Sequence, residues 1–174
     1  HVTMIGFCGA PWTVASYMLE GRGSDRQFAL QMAYEQPEWF KELMRRLVAA
    51  STDYLRAQIE AGADTVQIFD SWAGDLSGGL FDELSIKPIA EIVAALKQSH
   101  PHVPVIVFAK GAGQRHARVA GHLPVAAFAA QLAHRFDQHE QAEHAWVAIR
   151  KTAAVGVHRQ PAARCDGAVS NEGT

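Results

Sequence analysis

Three short runs rich in Val, Ile and Phe, at His1–Phe7, Asp64–Phe69 and Val103–Phe108, constrain this chain more than any other feature. None alternates apolar with polar residues, which is the pattern of strands covered on both faces. Between the first and second, Pro37 opens a long helix with Phe40, Leu43, Met44, Leu47, Val48, Tyr54, Leu55 and Ile59 on one face, and Gly62 ends it. Between the second and third, Leu80–Gln98 carries Ile89, Ile92, Val93 and Leu96 at helical spacing, with Pro88 where a first turn would begin. Strand, helix, strand, helix, strand demands right-handed crossovers and a parallel sheet, so the fold class is α/β. An open doubly wound sheet and a (β/α)8 barrel both satisfy the pattern.

Composition removes several classes of function. A net charge of −2 over 174 residues supplies no basic field for nucleic acid or anionic lipid. No apolar run reaches the ~18 residues of a membrane span, and no signal peptide opens the chain. Cys8 and Cys165 form neither a disulfide framework nor a zinc-ligand spacing. A protein of a reducing compartment is expected. A start at His1, without an initiator Met, suggests a piece of a longer chain.

In either parallel architecture, ligands meet the carboxyl ends of the strands. Those ends read Gly6-Phe7-Cys8-Gly9-Ala10-Pro11-Trp12-Thr13, Phe69-Asp70-Ser71-Trp72-Ala73-Gly74 and Phe108-Ala109-Lys110-Gly111-Ala112-Gly113. Each sets glycine, which allows sharp turns and close backbone approach, beside aromatic or polar groups. Neither the Walker pattern nor the dinucleotide Gly-x-Gly-x-x-Gly is present.

Together the strand ends are specific. Gly6 to Thr13 followed by Ser16-Tyr17-Met18-Leu19-Glu20-Gly21 resembles the signature segment of the uroporphyrinogen decarboxylase family. Ala61-Gly62-Ala63-Asp64, Ile68 to Gly74 and Val107-Phe108-Ala109-Lys110-Gly111 fit the same family in the same order, so the resemblance spans residues 1–113. It implies a partial (β/α)8 TIM barrel from the middle of that fold, about three strands with their helices, in a homodimeric, cytoplasmic enzyme. It also implies a reaction, the removal of carbon dioxide from the acetate arms of uroporphyrinogen III to give coproporphyrinogen III in haem biosynthesis, with no cofactor and no metal. Protonating a pyrrole carbon makes the ring its own electron sink, so the protein need only supply polar groups for the pyrrole NH and for the carboxylates.

By that resemblance, no catalytic residue lies within this piece. The family's central aspartate and arginine-bearing loop lie upstream of residue 1, and a substrate-contacting histidine lies near the family's C-terminus. The isolated chain is therefore expected to be inactive. Two substrate-binding residues carry over: Tyr17, whose phenol can donate to a carboxylate, and Ser71, whose hydroxyl can do the same. Their bland readings are a core aromatic on a first helical turn and a capping serine. Phe7 is a weaker third, as an apolar pocket wall rather than a core strand residue. Asp70 reads as a loop or cap carboxylate, Lys110 as an anion attractor or a snorkelling stem, Trp12 and Trp72 as packing, and Cys8 as a small buried group. A corrinoid-dependent methyltransferase on the same barrel is the enzymatic alternative; its His-x-Cys ligands are absent from residues 1–113. A non-catalytic fragment is the other.

The chain changes character after Gly113. Residues 115–174 hold six of the nine His and fifteen Ala but a single Lys, and the net charge turns from −4 over residues 1–114 to +2. Their His spacings suggest no metal site. Such a run is what GC-rich coding DNA yields in a wrong frame, so residues 114–174 are expected to be a frameshifted tail, helical or irregular, contributing no barrel strand.

Overall fold

A computed structural model describes residues 2–21, 25–115, 119 and 127–129. The three expected strands are β1 (Ile5–Gly9), β2 (Thr65–Asp70) and β3 (Val105–Ala109). All pair in parallel, with Cys8 opposite Ile68 and Phe69 opposite Phe108. β1 starts and ends later than the apolar run suggested. Gly9 belongs to the ladder, opposite Phe69, and Ala10 still donates its N–H to the Phe69 carbonyl at 2.7 Å.

Helix α1 (Pro11–Glu20) leaves the β1 end with Pro11 in its first turn, where a missing N–H costs nothing. Gly21, at φ 67°, stops it and donates its N–H back to the Tyr17 carbonyl. A second helix that apolar spacing did not suggest, α2 (Gln27–Glu35), precedes the long α3 (Pro37–Glu60). Helix α3 buries Phe40, Met44 and Leu55, and Gly62, at φ 107°, turns the chain after it into β2. The single helix expected over Leu80–Gln98 is instead three pieces: α4 (Gly78–Phe81), a π-helical turn (Asp82–Ile86) and α5 (Lys87–Ser99). The π turn swings Ser85 inward, and α5 packs Ile89, Ile92, Val93 and Leu96 into the core.

The sheet order is β1-β2-β3-β4, sequential throughout. A doubly wound sheet reverses direction at a switch point; this one does not, so its right-handed crossovers put every helix on one face and it forms an arc of a barrel. The fourth strand, β4 (Ala127–Ala129), corrects the expectation that nothing after Gly113 joins the sheet: it pairs in parallel with Val105, Ile106 and Val107. Ladder bonds are made by backbone, and the outer edge of β3 offers unpaired N–H and C=O groups, so Ala-rich composition is no bar to pairing. Of the rest of the expected helical or irregular tail, Gly113–Arg115 form a 3-10 turn and Val119 is buried, and the other residues lie outside the described residues.

One edge of β1 is closed by a side chain. Gln58 of α3 accepts the Phe7 N–H at 2.8 Å and donates to the Phe7 carbonyl at 3.1 Å, as a neighbouring strand would. Gly6 makes room for it, since a Cβ there would stand 2.7 Å from the Gln58 Oε1.

Candidate functional site

The helix-free face of the sheet carries an aromatic row. Phe7 packs edge-on against Phe69 at 5.9 Å between centroids, and Phe69 against Phe108 at 6.0 Å. Alternation along each strand puts these rings opposite the helix side, and Phe7 is 60% exposed rather than core. Phe7 is thus an exposed ring on this face and not a buried strand residue.

Asp70, one residue further along β2, points the other way and is fully buried among the helices. Its carboxyl accepts the Thr13 hydroxyl of α1 at 2.8 Å and the Ser85 hydroxyl of the π turn at 2.5 Å. Burial pushes its pKa up to about 6, while the bonds from Ser85, Thr13 and the Trp72 backbone N–H pull the other way. Asp70 is thus a three-way clamp on the strand end, and it does not face the open side of the sheet.

That clamp holds the base of Trp72. Its N–H goes to Asp70, and its carbonyl accepts the indole N–H of the fully buried Trp12 at 3.1 Å. Trp12 is packing, as read from the sequence. Trp72 is more: the half-exposed Tyr17 of α1 meets its ring edge-on at 6.1 Å, the Arg26 guanidinium lies 4.1 Å from its centroid, and the Lys110 ammonium lies 5.9 Å from it. Arg26 is also ion-paired with Asp75 and is the one described non-glycine residue at positive φ, 61°. Nothing in the sequence singled out Arg26, because only the loop conformation carries it onto the indole.

The structure therefore gathers Tyr17, Trp72, Arg26 and Lys110 at the carboxyl ends of the strands, with Ser71 adjacent to Trp72 in the turn after β2. Phe7 belongs to the aromatic row. The second and third strand-end loops are tied together by backbone. Gly74 donates to the Lys110 carbonyl at 2.9 Å, Lys110 donates to the Asp70 carbonyl at 3.0 Å, and a Cβ on Gly74 would stand 3.0 Å from the Gly111 Cα. Such closeness explains the glycines at both positions.

Cys8 is buried, and burial pushes its thiol up to about 12 despite a hydrogen bond from Ser51, so it is no nucleophile at neutral pH. Among the described residues no three His, Cys, Asp or Glu side chains are grouped to hold a metal, and no helix is long and apolar enough to cross a membrane. The histidines from 116 to 158 lie outside the described residues.

Comparison with known proteins supplies the context for this geometry. The family model described as "Uroporphyrinogen decarboxylase (URO-D)" matches residues 1–156, past Gly113, where the legible motifs end. Curated proteins named uroporphyrinogen decarboxylase are similar: that of Chelativorans sp. (strain BNC1) is 52% identical over 119 residues, 68% of this chain and 35% of its own. That of Mesorhizobium japonicum is 53% identical over 117 residues (67% and 34%), and that of Rhodospirillum rubrum 54% over 112 (63% and 32%). The chain thus spans about a third of the length of these relatives. Strand-end motifs, sequential parallel strands and a match over most of the residues converge, and the chain belongs to the uroporphyrinogen decarboxylase family.

Proposed function

We propose that a full-length protein carrying this chain decarboxylates the acetate arms of uroporphyrinogen III to give coproporphyrinogen III, acting as a cytoplasmic homodimer. The observation that carries the reading is identity of about half of the aligned residues with proteins named for that activity. In this reading Phe7, with Phe69 and Phe108, supplies an apolar floor for the macrocycle, and Tyr17 and Ser71 hydrogen-bond its carboxylates. The half-exposed phenol at the strand ends supports the assignment of Tyr17. The 174-residue chain alone performs no turnover, because the family's aspartate and arginines are not among its residues.

The test is to graft residues 2–113 of this chain into the full-length Rhodospirillum rubrum protein in place of its matching segment and assay coproporphyrinogen formation. Activity is expected in the chimera and none in the isolated chain. Tyr17→Phe and Ser71→Ala should each lower kcat/KM about ten- to hundredfold, the value of a hydrogen bond to a charged group. A folded but inactive chimera, or wild-type behaviour of both variants, refutes the reading or its site.

Residues 114–174 are taken as the product of a changed reading frame, which their shift in composition supports. The β4 pairing and the family match to residue 156 weigh the other way. Translating the coding DNA in all three frames downstream of the Gly113 codon decides: another frame with a continuous strand-and-helix pattern supports it, and stops in both other frames refute it.

A further inference from the structure

We propose that Lys110 binds a carboxylate of the substrate beside Tyr17, with Trp72 as the surface on which both side chains rest; the assignment rests on the functional reading above. Two cations lie against the Trp72 indole, and they differ. Arg26 is mostly buried and ion-paired with Asp75, so its charge is already answered. Lys110 is exposed, and among the described residues no carboxylate lies within ion-pair distance of it.

Its base is held while its head is open to solvent. The Lys110 N–H and C=O are tied to Asp70 and Gly74, and Gly111, at φ 75°, follows directly against Gly74. The ammonium lies 5.9 Å from the indole centroid, and the Tyr17 ring meets the same indole at 6.1 Å. A fixed backbone, a positive charge with no ion-pair partner among the described residues and a phenol donor on the same indole together offer a receptor for a carboxylate, and pre-placed groups spend less entropy on binding. A snorkelling lysine would share the exposure; it would not change substrate affinity.

Lys110→Met keeps the apolar stem and removes the charge, and Lys110→Arg restores it. In the chimera described above, Lys110→Met should raise KM at least tenfold with kcat within about twofold, and Lys110→Arg should recover most of the loss. Separately, the 174-residue chain and its Lys110→Met variant, matched by circular dichroism, are titrated with coproporphyrin, a stable tetracarboxylate. Binding at least tenfold weaker for Met, with Arg restoring it, supports the site even if the chimera proves inactive, an outcome that would sink only the decarboxylase reading. Unchanged KM in an active chimera, or unchanged coproporphyrin affinity, overturns the role of Lys110 and leaves the function standing.

Discussion

The Asp70 clamp makes a prediction whose sign and size both follow from the structure. In the folded chain, burial raises the carboxyl from its ordinary 3.8 to about 6, partly offset by the hydroxyls of Ser85 and Thr13 and the Trp72 N–H. Between about pH 4 and pH 6 the folded state therefore holds a proton that the unfolded state has lost. Stability is fully present below the unfolded pKa and falls as pH rises through the folded one. The displacement from 3.8 to about 6 is worth about 3 kcal/mol once both states are ionised. Asp70→Asn keeps the volume, still accepts from Thr13 and can donate to the Ser85 oxygen, but it does not titrate. From pH 4, where the unfolded carboxyl is already partly ionised, to pH 7.5 the wild-type chain should thus lose about 2 kcal/mol relative to the Asn variant. Asp70→Ala should be the less stable at every pH, because it strands two hydroxyls and an N–H in the core at ~1–3 kcal/mol each. Urea unfolding followed by tryptophan fluorescence, at half-unit steps of pH, measures all three. Wild-type and Asn midpoints that run parallel across the range would refute the buried clamp, as would an Ala variant as stable as Asn.

Two further outcomes test the packing around the strand ends. Gly74→Ala drives a methyl to 3.0 Å from the Gly111 Cα and 3.2 Å from its carbonyl carbon and oxygen. Backbone cannot yield there, so a loss of about 1–3 kcal/mol in thermal unfolding is expected. Gly79→Ala, which meets nothing within 4 Å, serves as the control, and equal melting of the two would be disproof. Iodoacetamide at pH 8 should label Cys8 about a thousandfold more slowly in the folded chain than in urea, since little of a thiol pushed up to about 12 is ionised. Peptide mapping separates it from Cys165, and labelling of Cys8 at the unfolded rate would contradict its burial.

Much of this molecule was legible in one dimension, for identifiable reasons. A strand covered on both faces must be apolar along its whole length, so Val105–Ala109 and Thr65–Asp70 announce themselves within a residue or two. An amphipathic helix repeats every 3.6 residues, so α3 and the buried face of α5 do so too. The motif order alone carried the family and pointed to Tyr17 and Ser71. What needed the third dimension is everything that depends on partners distant in the chain. Asp70 reads as a loop carboxylate until Thr13, 57 residues before it, and Ser85, 15 after it, close around it. Trp72 reads as packing until Tyr17 and Arg26 arrive from the connection after β1 and Lys110 from the end of β3. The strand Ala127–Ala129 lies in an Ala-rich stretch without the Val/Ile run of the other three, and only its pairing along the edge of β3 shows it as a strand. Periodicity is a local property that a chain carries wherever it goes, whereas a clamp, a platform and a borrowed ladder exist only once the fold has brought their parts together.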